Sequence, residues 1–225
     1  MLIHQAIASR NIWMESPTIH SFEKIVTSAI KRKLLTRQLN IVAVGMPGSG
    51  KTTIFRRYAY ELKLDFIDVD QITEELMGDT IENVLNDETR GEAYFREYEQ
   101  KAVLQAARHN RAVIATGGGS VLNPINRDVL RSNGIIIYVK RPLEMLATGG
   151  RPLSQEVGVE QLFEERSHIY SKIADIILDN SVDFGSSLDK NGEKNSYGYD
   201  MKAFVFKAKA SIEKYIYNIA GNKWV

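Results

Sequence analysis

Short apolar runs rich in β-branched residues recur along the chain, at Asn40–Gly45, Leu64–Val69, Ala112–Thr116, Gly134–Val139 and Ala174–Leu178. Each has the length of a buried strand, and the first is followed at once by a Gly/Pro/Ser loop. Helix-compatible stretches lie between them, at Thr52–Leu62, Tyr94–His109, Asn126–Ser132 and Val159–Ile173. Strands alternating with helices predict βαβ units and a parallel sheet covered on both faces. Two regions stand outside this alternation. Met1 to Gln38 is mostly helical in character, so 1–38 is expected to be an extension before a single domain at 39–225. Asp183–Asp200 is rich in Gly, Ser, Asn and Asp and reads as a mobile loop or insertion. In Met201–Ala220 the apolar residues Phe204, Ala208, Ile212 and Ile216 fall at helical spacing, which predicts a closing helix with one buried face. No internal repeat is present.

Composition narrows the class. With 225 residues, 44% hydrophobic and 25% charged, the chain suits one globular α/β domain with extensions. A formal net charge of +1 gives no footprint for nucleic acid. The absence of Cys excludes disulfides, thiolate metal sites and a cysteine nucleophile. No apolar run approaches the ~20 residues of a membrane span, and Met1–Ser9 lacks the basic start of a signal peptide. A cytoplasmic protein is expected, with neither membrane nor nucleic acid as partner. His4, His20, His109 and His168 are scattered without metal-ligand spacing.

Gly45-Met46-Pro47-Gly48-Ser49-Gly50-Lys51-Thr52 matches G-x-x-x-x-G-K-[ST] in full, with a predicted strand before it and a helix after it. Gly48 and Gly50 let successive backbone N–H groups turn into one concavity, and the helix adds its positive N-terminal end. Lys51 is expected to reach the β- and γ-phosphates of a nucleotide. The Thr52 hydroxyl is expected on Mg²⁺, and Thr53 at the α-phosphate. This pattern predicts nucleotide binding without separating a kinase from a GTPase or a motor ATPase.

Further signals lie downstream. Asp68-Val69-Asp70 ends the second apolar run, and in a strand residues two apart project to the same side. Both carboxylates could then face the end where the phosphate loop opens, one orienting Mg²⁺ through water and the other accepting a proton from an attacking hydroxyl. Two solvated acids in a turn would look the same. Phe95-Arg96, the triplet Gly117-Gly118-Gly119, Arg151-Pro152-Leu153 and Arg166 with Tyr170 at i+4 follow. A guanidinium suits a carboxylate through paired charge-assisted hydrogen bonds, and a Gly triplet permits close backbone approach to a ligand. Taken singly, each is also what a surface residue or loop offers.

From Gly45 to about Asn180 these motifs together resemble shikimate kinase, in order and spacing: GMPGSGKTT, FIDVDQITEELMGDTI, GEAYFREYE, VIATGGGS, RPL and ERSHIYSKIAD. The resemblance implies a P-loop NTPase-type three-layer fold, with a five-stranded parallel sheet of order 2-3-1-4-5, helices on both faces and a mobile lid at about 145–160. It implies transfer of the γ-phosphate of ATP to shikimate, with ATP and Mg²⁺ required. Gly48, Ser49, Gly50, Lys51, Thr52 and Thr53 would form the nucleotide site, closed by Arg151 from the lid. Asp70 would bind two ring hydroxyls and act as base, and Asp68 would hold Mg²⁺ through water. Arg96 and Arg166 would clamp the carboxylate, with Phe95 as a wall, Gly118 donating its N–H, and Gly117 and Gly119 beside it. The chain departs from the family's pattern in a short stretch Met145–Gly150 without a basic residue, and in Ser154 after RPL.

Met1-Leu2-Ile3-His4-Gln5-Ala6 with Ile12-Trp13 resembles the closing helix of shikimate dehydrogenase. That implies a fused dehydrogenase as covalent neighbour, although no G-x-G-x-x-G fingerprint occurs in this chain. Two rival readings explain the phosphate loop: a P-loop kinase of another polyol acid such as gluconate, and a nucleotide-binding regulator without catalysis.

Overall fold

The computed structural model describes residues 20–146, 158–181 and 198–221. Residues 1–19, Arg151 with most of the expected lid, and most of the Asp183–Asp200 segment lie outside the described residues. The elements run α1 (His20–Gln38), β1 (Asn40–Val44), α2 (Lys51–Leu62), β2 (Phe66–Asp68), α3 (Val69–Met77), α4 (Ile81–Asn86), α5 (Gly91–Ala106), β3 (Val113–Ala115), α6 (Pro124–Ser132), β4 (Gly134–Lys140), α7 (Val159–Ile173), β5 (Ile176–Asp179) and α8 (Gly198–Gly221). The five strands form one sheet in the order β2-β3-β1-β4-β5. All pairings are parallel, with Val42 of β1 opposite Ile114 of β3 on one side and Ile136 of β4 on the other. This is the sheet and strand order that the sequence resemblance implied.

Every residue of β1 is buried, because helices cover both faces of the sheet. Alternate residues feed two separate cores. Val42 and Val44 pack with Ala102 and Val103 of α5, Leu130 of α6 and Tyr170 of α7. Ile41 and Ala43 pack with Ile54 and Phe55 of α2 and with Phe204, Ala208, Ile212 and Ile216 of α8. The predicted apolar stripe of the closing helix is thus core, and α1 packs against that same helix. Among the described residues no helix is long and apolar enough to cross a membrane.

One strand differs from the sequence expectation in a way that matters for the site. The run Leu64–Val69 is strand only over Phe66–Asp68. Asp68 is extended (φ −103°, ψ 114°) and caps α3, its carboxylate accepting the Asp70 N–H. The placement of Asp68 and Asp70 side by side on one strand is therefore corrected. An Asp at a strand end can satisfy an orphan helix N–H, so the chain turns into helix one residue after Asp68.

Candidate active site

The phosphate loop joins β1 to α2 at the middle of the sheet. Gly50 sits at the start of α2 in the left-handed region (φ +86°), where a side chain would be strained, and Gly48 is also there (φ +79°). No side chain caps α2 and no acidic residue occupies its first turn. The helix therefore presents its first-turn N–H groups and Lys51 at its positive end, a donor set matched to an anion. Lys51 is only 8% exposed, and its Nζ lies 3.4 Å from the Met46 carbonyl oxygen. Gly48, Gly50, Lys51, Thr52 and Thr53 all line one cleft of roughly 520 Å³. Ser49 does not: its side chain is buried inside the loop, where its carbonyl accepts from Asn180 Nδ2 at 2.7 Å.

The same cleft is also lined by Asp70, Phe95, Arg96, Gly117, Gly118, Gly119 and Arg166. The structure thus brings these sequence-predicted residues to the phosphate loop from four separate segments. The glycine triplet is the joint between them. A β-carbon on Gly117 would stand 2.5 Å from Asp70 Oδ1 and 3.0 Å from Glu99 Oε1. One on Gly118 would stand 2.6 Å from the Pro47 ring, and one on Gly119 would collide with the Arg96 guanidinium. Only bare backbone fits between these groups. The Tyr170 hydroxyl donates to the Gly118 carbonyl oxygen at 2.5 Å and stacks its ring on Tyr138, fixing the triplet to α7 and β4.

Burial raises the Asp70 carboxyl from 3.8 to about 6, with Asp68, Glu99 and Glu74 adding to the rise and Lys51 opposing it. Asp68 is outside the cleft lining. Its Oδ1 accepts from the Asp70 N–H at 3.2 Å, and its Oδ2 lies 3.6 Å from Arg56 Nη2. The Thr52 hydroxyl and the Asp68 carboxylate are hard oxygen donors of the type Mg²⁺ takes alongside water.

Arg96 crosses the Phe95 ring at 4.9 Å and gives three hydrogen bonds to Glu92 and Glu99. A guanidinium has five N–H donors, so capacity for a carboxylate remains. Arg166 is 5% exposed, with its Nε 3.4 Å from Glu165. Glu99 was missed in the sequence. It is 1% exposed, takes Arg96 Nη1 at 2.8 Å and Ser120 Oγ at 2.6 Å, and so holds the Arg96 head at the cleft. Its spacing of i+3 from Arg96 was the available signal.

Comparison with known proteins follows the same span. The family model described as shikimate kinase matches residues 47–186. A shikimate kinase of Clostridium beijerinckii is 37% identical over 156 residues, covering 67% of this chain and 90% of that protein. One from Caldanaerobacter subterraneus subsp. tengcongensis is 41% identical over 149 residues, covering 62% and 85%. Among solved structures, the Acinetobacter baumannii shikimate kinase in complex with shikimate superposes with a TM-score of 0.66 at 27% identity, covering 81% of this chain and 97% of that one. The Aquifex aeolicus shikimate kinase gives 0.60 at 29% identity, covering 82% and 100%.

Proposed function

The chain belongs to the shikimate kinase family, and from that premise we infer that it transfers the γ-phosphate of ATP to a hydroxyl of shikimate, giving 3-phosphoshikimate in aromatic amino acid biosynthesis. ATP and Mg²⁺ are its co-substrate and metal. One observation carries the reading: the phosphate loop and the acceptor-side residues line a single cleft, so donor and acceptor meet in one space.

The assignment of roles is part of this proposal. Lys51 and the backbone N–H groups at the start of α2 hold the β- and γ-phosphates, and Thr53 holds the α-phosphate. Thr52 and Asp68 would hold Mg²⁺, which when bound neutralises charge on the transferred group. Asp70 binds the ring hydroxyls and takes the proton of the attacking one. Arg96 and Arg166 clamp the shikimate carboxylate, with Glu99 positioning Arg96. Phe95 forms the wall beside the ring, and the Gly118 N–H donates to substrate. Arg151, outside the described residues, is assigned by its RPL motif to close over the phosphates. Transfer in this class depends on positioning and charge stabilisation, which is what such a set supplies.

The experiment is a coupled ADP-release assay with shikimate, its methyl ester and gluconate as acceptors. Shikimate should give the highest kcat/KM. The ester, having lost the charge that two guanidinium groups bind, should be poorer by about 10–150-fold, matching loss of a charged contact worth ~1.5–3 kcal/mol. That penalty should shrink in Arg96→Ala and Arg166→Ala, since the substitutions and the ester remove the same interaction. A better rate with gluconate would overturn the substrate, and equal rates for ester and acid would overturn the clamp.

The proposal also takes 39–225 as the kinase domain in the cytoplasm and 1–38 as an extension. A fused shikimate dehydrogenase as neighbour is supported by the sequence resemblance of Met1–Trp13, which lies outside the described residues. The mass of the protein purified from its source tests it: a single polypeptide much larger than 25.4 kDa is expected.

A further inference from the structure

The strand order divides the surroundings of the phosphate loop into two sides. The acceptor-side groups Asp70 and Gly117–Gly119 follow β2 and β3, on one flank of β1. On the other flank lie the ends of β4 and β5, and each is followed at once by a polar residue: Arg141 after β4 and Asn180 after β5. A nucleotide whose γ-phosphate points to Asp70 must run its remaining half away from the acceptor, towards those two ends.

Both residues are built tightly against the loop. Asn180 is fully buried and is tied in on two sides, its N–H donating to the Lys140 carbonyl oxygen at 2.7 Å and its Nδ2 to the Ser49 carbonyl oxygen at 2.7 Å. A β-carbon on Gly50 would stand 3.1 Å from Asn180 Nδ2 and 3.8 Å from Arg141 Nη1. Arg141 Nε and Asn180 Oδ1 are buried without a hydrogen-bond partner among the described residues. Arg141 also makes no ion pair there, whereas Arg90, Arg96 and Arg166 all do. Buried polar atoms are nearly always paired, so an unpaired guanidinium nitrogen and an unpaired amide oxygen flanking one anion-binding loop call for a partner. A guanidinium accepts two features of a nucleoside phosphate, the α-phosphate by charge-assisted hydrogen bonds and the base by stacking.

We propose that Arg141, held against the loop with Asn180, binds the α-phosphate and nucleoside half of ATP and so sets affinity for the nucleotide without touching the acceptor. This rests on the phosphoryl-transfer reading above. Arg141→Met keeps the apolar stem and removes the charged head, and Arg141→Lys keeps the charge alone. Calorimetry with ADP and with inorganic pyrophosphate separates the two halves of the ligand, because pyrophosphate fills the β- and γ-phosphate positions but brings neither an α-phosphate nor a nucleoside.

Arg141→Met should weaken ADP by about tenfold or more. Pyrophosphate affinity and the KM for shikimate should stay within about twofold of the parent, and Tm should be unchanged. Partial recovery of ADP affinity in Arg141→Lys marks the α-phosphate as the partner, and no recovery marks the base; either supports the contact. ADP affinity unchanged in Arg141→Met, or equal losses for ADP and pyrophosphate, would overturn the proposal. Neither result touches the identity of the acceptor, which the ADP-release comparison decides separately.

Discussion

Asp70→Asn is expected to lower kcat by about 10²–10⁴-fold, the usual cost of losing a general base, while calorimetric affinity for ADP stays near the parent value. The amide keeps the size of the side chain and loses both the proton acceptor and the charge. Burial holds the Asp70 carboxyl at about 6, close to a working pH near neutrality, where a base is both ionised and strong enough to take a proton. The parent kcat/KM should therefore fall as pH drops below about 6, and this limb should be missing from the residual activity of the variant. Stability should move the other way. Folding raises this carboxyl from 3.8 to about 6, so the folded protein holds the proton more tightly than the unfolded chain. Its contribution is fully present below pH 3.8 and is lost as pH rises through about 6. At pH 8 the ionised carboxylate costs ~1–3 kcal/mol, and Asp70→Asn should melt at higher temperature than the parent. An Asn variant that retains most of its kcat would remove Asp70 from the chemistry, whatever its melting temperature.

The phosphate loop was legible because its chemistry is local: glycines, Lys51 and Thr52 stand within one turn between a strand and a helix. The strand order and the acceptor residues were legible only through resemblance, since nothing in their spacing brings Arg96 and Arg166 to one cleft. At Asp68-Val69-Asp70 an apolar run hides a helix start. The cap signals were present, with Asp68 accepting from Asp70 N–H at one end of α3 and Gly78 turning left-handed at the other (φ +70°). Thr80 likewise caps α4 through the Asn83 N–H, and α4 went unread because its six residues are too few to show periodicity. Glu99 offered only its i+3 spacing from Arg96, and Asn180 offered no signal without the fold. Their decisive partners, Ser120 and Ser49, are 21 and 131 residues away in sequence.

Lys51→Ala should be the most damaging single change, because the side chain acts on both halves of the reaction at once. Its ammonium group is buried at the base of the cleft and lines the wall that a β- or γ-phosphate would face. A fixed cation there stabilises the charge of the transferred group, and removing one such preorganised group costs about 10²–10³-fold in kcat. The same ammonium pulls the Asp70 carboxyl down, against burial and three neighbouring carboxylates that push it up. Without Lys51 the rise is unopposed, so a smaller fraction of Asp70 is ionised at neutral pH. The two losses multiply, and turnover at pH 7 should fall below a thousandth of the parent, on the order of loss of a phosphate clamp compounded by loss of base. The second loss has its own signature. Residual kcat/KM in Lys51→Ala should recover as pH is raised, with its acid limb displaced above the parent's value of about 6. Circular dichroism should show the helices intact. If the limb stays at the parent pH while the rate falls, Lys51 serves the phosphates alone; if the rate survives, the cleft does not transfer phosphate in the way the residues around it imply.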